Sequence, residues 1–124
     1  MYSEIAEAFQ LSENSAISED YICSHPDPMS DISDLEPLQY MPSYMAWCVQ
    51  NRDIDGNLIC MYTINALAEF GRCKSPELPH LAFKFRCSHE QKQTVIGFLK
   101  WSLANLPLED KEQIGRAIKQ WSGS

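Results

Sequence analysis

Residues 88–106, SHEQKQTVIGFLKWSLANL, place Val95, Phe98, Leu99, Ser102, Leu103 and Leu106 at the three-and-four spacing of one helical stripe. Ser88 and Gln91 stand ahead of it at the two positions of a capping box, where each side chain satisfies a backbone N–H the helix leaves open. Pro107 opens a further helix, with Glu109 and Asp110 in its first turn and Ile114, Ala117, Ile118 and Trp121 at i, i+3, i+4 and i+7. Two neighbouring amphipathic helices must bury their stripes, and the shortest solution is to bury them against each other. The pattern predicts a helical hairpin closed through Leu99, Leu103, Ile118 and Trp121.

The rest of the chain reads as further helices joined by loops. Ile5, Ala8 and Phe9 follow helical spacing behind a Ser3 cap. Pro42 suits the first turn of a helix carrying Tyr44, Met45, Trp47, Cys48 and Val49. LICMYTINALAEFG puts Cys60, Ile64, Leu67 and Ala68 on one face, with Gly71 as its stop. LAFKFRC, residues 81–87, alternates strictly, with Leu81, Phe83, Phe85 and Cys87 on one side and Ala82, Lys84 and Arg86 on the other; that is an extended segment half-buried against helices. Residues 11–36 form an acidic connection rich in Ser, Asp and Pro, with a short helical turn at SDISDLE and a stiff HPDP loop. The expected fold is mainly α: one domain over residues 1–124, a bundle of four to five helices with at most one short extended segment (81–87). A chain of 124 residues has no room for two ordinary cores.

Charge narrows the function classes. Residues 1–36 hold nine acids and no Lys or Arg, and the remainder holds 8 acids against 10 bases, so −9 and +2 give the net −7. Such a first third repels nucleic acid phosphates and anionic lipid, and an electrostatic partner for it is a basic protein. Glu19, Asp20, Asp27 and Asp31 are the candidate partner-binding acids. Tyr40 and Met41, in the Tyr-, Met- and Trp-rich stretch YMPSYMAW and ahead of the helix expected at Pro42, are the candidate apolar contacts. The rest of that stretch reads as core.

The opening MYSEIAEAFQ has neither the basic nor the apolar region of a signal peptide, and LICMYTINALA is too short and polar to span a membrane. Five scattered cysteines, 23, 48, 60, 73 and 87, read as reduced thiols, so the expected location is the cytoplasm.

Two motifs suggest chemistry and carry little of it. The triplet Cys-Ser-His occurs at 23–25 and again at 87–89. A zinc site needs converging side chains, whereas Cys87 should face inward as the last apolar residue of its segment and His89 outward as the first of a helix. NRDIDGNLICMY resembles a calcium loop, with Asn51, Asp53, Asp55 and Gly56 at positions 1, 3, 5 and 6. Tyr62 stands where a bidentate Glu should close the coordination, so a plain helix-to-helix turn is expected. No catalytic residue, metal ligand or cofactor is assigned.

EIAEAF, YMPSYMAWCV and the stretch from Phe85 to Trp101 together resemble a family of small bacterial domains of unknown function. Its pattern runs I-x-x-A-F, P-x-Y-M, E-Q and F-L, matched by Ile5, Ala8 and Phe9; Pro42, Tyr44 and Met45; Glu90 and Gln91; and Phe98 and Leu99. The chain departs from that pattern in having no Trp before Trp47 and a longer acidic connection. The resemblance implies a helical fold and no assigned reaction, and relatives that look like products of bacterial conflict loci imply a toxin-neutralising role. The expected function is a non-enzymatic protein-binding module, with an immunity-type inhibitor of a basic partner as its specific form. The alternative is an enzyme or metal-binding module using His25, Asp27 and Asp31 or the Asp53–Asp55 loop; oligomeric state is left open.

Overall fold

The computed structural model describes residues 1–12, 16–53, 58–106 and 111–123. In chain order the elements are α1 (Tyr2–Ala8), α2 (Glu19–Ser24), α3 (Pro28–Asp31), α4 (Pro37–Gln50), α5 (Leu58–Arg72), α6 (Phe83–Arg86), α7 (His89–Asn105) and α8 (Lys111–Ser122). Five of these eight run seven residues or more, and α2, α3 and α6 are short turns of helix. No strand occurs among the described residues.

The C-terminal hairpin forms as its stripes dictate. Ser88 Oγ accepts from the Gln91 N–H at 3.1 Å and Gln91 Oε1 accepts from the Ser88 N–H at 2.8 Å, which is the expected capping box. The other end of the same amide, Gln91 Nε2, donates to the Ala8 carbonyl at 3.1 Å, so one side chain closes the start of α7 and the end of α1. Leu99 and Trp121 are buried, while Leu103 and Ile118 lie at the edge of the core. Pro107, Glu109 and Asp110 lie outside the described residues.

Helix α5 packs against α8 across Gly71. A Cβ there would stand 2.9 Å from Trp121 Cδ1 and 3.0 Å from its Nε1. Gly71 therefore lies inside α5, where the expected stop was placed, and its missing side chain makes room for the indole. Trp121 also meets Phe83 edge-to-face, with centroids 5.7 Å apart, and Phe83 meets Phe70 at 5.5 Å.

The extended segment expected at 81–87 is instead the turn of helix α6. Phe83 and Cys87, four apart, share its buried side, but Phe85 is 42% exposed and Lys84 is buried. Tertiary hydrogen bonding overrides the alternation. Lys84 Nζ donates to the Gly71 carbonyl at 3.0 Å and to the Gln120 carbonyl at 3.3 Å, near the C-terminal ends of α5 and α8. A cation there satisfies open carbonyls and meets the negative ends of both helix dipoles.

Helix α4 starts at Pro37, five residues before the expected Pro42, which now lies inside it. Glu36 N–H donates to Gln39 Oε1 at 2.7 Å at this start. Residues 40–48 are buried without interruption, as in a helix enclosed on all sides. Helix α1 packs on one side of α4 and α5 on another. The first helix begins at Tyr2 with Met1 as its cap, so Ser3 does not serve as one.

Candidate functional site

The acidic connection folds onto α4. Ser18 caps α2, its Oγ accepting from the Tyr21 N–H at 3.2 Å, and Glu19 and Asp20 follow in the first turn, where the helix dipole favours negative charge. Ile22 anchors α2 in the core. Helix α3 starts at Pro28 behind Asp27, whose Oδ1 accepts from the Met29 N–H at 3.2 Å, while Asp31 Oδ2 accepts from the Asp27 N–H at 3.0 Å. The expected turn at SDISDLE is thus displaced to residues 28–31, because Asp27-Pro28 supplies a cap and a first-turn proline.

Two bonds tie this acidic layer to the central helix. The Ile17 N–H donates to Ser43 Oγ at 2.9 Å, and the Tyr44 hydroxyl donates to the His25 carbonyl. Burial raises the Tyr44 phenol well above its ordinary value, so it stays a donor.

The candidate acids divide by role. Glu19 and Asp20 are exposed first-turn residues; Asp27 and Asp31 also stabilise α3. None of the four makes an ion pair among the described residues, and neither does Asp34 or Glu36. Tyr40 and Met41 are not surface contacts: they are 4% and 0% exposed. Because α4 begins at Pro37, both lie within the helix and face the core. Burial, then the nearby charge of Asp27, pushes the Tyr40 phenol up to about 12.

The described residues of the metal or enzyme alternative are placed as follows. His25 Nδ1 lies 2.9 Å from the Tyr21 carbonyl, and its ring stacks on Tyr21 with centroids 4.0 Å apart. Asp53 is exposed beside Arg52, and Asp55 and Gly56 lie outside the described residues. Cys87 is buried, His89 is exposed and Cys23 is exposed on α2. No group of three or more His, Cys, Asp or Glu side chains placed to hold a metal occurs among the described residues. Cys48 of α4 and Cys60 of α5 are buried hydrogen-bonding partners, and desolvation first, then that bond, raises the Cys48 thiol.

One feature escapes sequence reading. A groove of about 300 Å³ lies between α1, α2 and α4, lined by Leu11, Ile17, Glu19 and Ile22 and by Ser43, Ala46 and Trp47 of α4. Trp47 is 7% exposed, and its indole N–H has no hydrogen-bond partner among the described residues. The only sequence signal is negative: the absence of Lys and Arg runs past residue 36 to Asn51, and the first base is Arg52.

No described helix is long and apolar enough to cross a membrane. No family model, curated protein or solved structure matches the chain.

Proposed function

We propose that this protein is a non-enzymatic protein-binding module that presents its acidic first third to a basic partner, in the manner of an immunity-type inhibitor. One observation carries the reading: Glu19, Asp20, Asp27, Asp31, Asp34 and Glu36 make no ion pair among the described residues, yet the segment bearing them is held on α4 by Ser43 and Tyr44. Unpaired like charges in one folded layer repel and add little packing, and their field is available to steer an oppositely charged partner. The resemblance to a family of small bacterial domains, some of which look like products of conflict loci, suggested this role.

The test is association kinetics with a basic protein captured from the native host, at low and high salt. The variant replaces Glu19 by Gln and Asp20, Asp27 and Asp31 by Asn, which keeps a capping oxygen at 27. Association should slow by about tenfold or more at low salt and the difference should shrink at high salt, where the screening length falls to about 3 Å at 1 M. Equal association rates for the two proteins would remove the proposal.

A further inference from the structure

We infer that a notch between α5 and α8 is a binding site for a free phosphate ion. Arg72 and Arg116 clamp the anion from the two helices, and the carboxamides of Gln113 and Gln120 flank it as further donors. The notch shares no residue with the acidic layer, so the two sites can be tested apart.

Three observations converge on that occupant. The first is the lining. The buried Ala68 and Ala117 leave the notch open, and the four longer side chains around it, Arg72, Gln113, Arg116 and Gln120, all carry N–H donors. No acid occurs among the described residues of the lining. Two guanidinium forks on separate helices suit an oxyanion with several oxygens to share. At about 140 Å³ the notch is smaller than an ordinary small-molecule site, so it takes a single ion rather than a nucleotide.

The second is how the arginines are already paired. Arg72 meets Glu69 and Arg116 meets Glu112, the latter at 4.0 Å, each within its own helix. All four side chains are 48% or more exposed, so water screens both pairs. A guanidinium has five N–H donors, and a carboxylate on one edge leaves others for a second anion.

The third is Lys84. Arg72 ends α5 and Gln120 lies in the last turn of α8, where open carbonyls ordinarily repel an anion. Here the Gly71 and Gln120 carbonyls accept from the Lys84 ammonium at 3.0 Å and 3.3 Å. A buried cation therefore faces the carbonyls that adjoin the notch, and the local field favours a negative occupant.

The test uses the full chain labelled with nitrogen-15, titrated with sodium phosphate or sodium acetate at fixed ionic strength. The four arginines give four Nε–H resonances, and those of Arg52 and Arg86 are internal references. Phosphate should move the Arg72 and Arg116 resonances together and saturably, with half-saturation at about 5 mM or below, while acetate leaves them in place. Arg72→Gln and Arg116→Gln should each weaken phosphate by about tenfold. Arg72→Lys keeps the charge without the fork and should weaken it by about threefold. Melting curves identify a variant that fails to fold, and the other position then decides. Four arginine resonances that drift alike without saturating, or that respond equally to acetate, overturn the site.

Discussion

The indole N–H of Trp121 donates to the carbonyl oxygen of Leu67 at 2.9 Å, joining residues 54 positions apart across the α5–α8 interface. Trp121→Phe keeps most of the ring and removes the bond, at a cost of about 1 kcal/mol. Trp121→Ala also leaves a cavity beside Phe83 and should cost roughly 3–5 kcal/mol, a large part of a small domain's stability. Denaturant titration of both variants gives the comparison; equal losses would mean the hydrogen bond, not the ring, holds the interface.

Gly71→Ala should destabilise, although alanine gains about 1 kcal/mol of helix propensity over glycine. The new Cβ would stand 2.9 Å from an indole that its own hydrogen bond holds in place, and overpacking of this kind costs roughly 1–3 kcal/mol. In the Trp121→Ala background the same change should become neutral or stabilising. That reversal of sign, read in a double-mutant cycle, ties the glycine to the indole.

Stability should fall as pH rises above 9. Burial pushes the Cys87 thiol from 9.0 up to about 12, so between those values the unfolded chain releases a proton that the folded chain keeps. Stability from this group is whole below pH 9 and is lost at up to about 1.4 kcal/mol per pH unit as pH climbs toward 12. Cys48, also raised, acts in the same direction. Lys84, lowered chiefly by burial, acts the opposite way below its ordinary value of 10.5. Urea titrations from pH 8 to 10.5 should show a shallower fall for Cys87→Ala than for the parent; identical slopes would refute the assignment.

Ser43→Ala should loosen the acidic layer without unfolding the core. It leaves the Ile17 N–H without its acceptor, a loss of about 1 kcal/mol, and α2 is only six residues long. Amide exchange should quicken across residues 16–24 while α5, α7 and α8 keep their protection. Uniform acceleration throughout the chain would show that the layer is part of the global unit.

What could be read in advance was local. The Ser88–Gln91 capping box and the stripe from Val95 to Leu106 lie within one helix, so neighbouring residues contain the whole signal. Lys84 could not be read this way, because its acceptors lie 13 and 36 positions away and only the folded chain brings them together. Gly71 gave an ambiguous sign, since a helix stop and a close approach of two helices both call for glycine. Pro37 and Pro42 both suit a helix start, and choosing the second placed Tyr40 and Met41 outside a helix that encloses them. The acids of the candidate face were plain from charge alone. The groove was not, since its walls converge from three separate elements.

The clasp made by Lys84 bears on how the protein can be synthesised. Its ammonium is buried, and one of its two carbonyl acceptors, Gln120, belongs to the last helix described. Until that residue leaves the ribosome, a nascent chain holds a lysine in its core with half its acceptors missing, and Gly71 faces no indole. Sequential folding from the N-terminus, available to chains whose contacts are short-range, therefore stalls here before α8 emerges. Until then the faces of α5 and α7 that α8 covers stay open to water, and the core closes only with α8 in place.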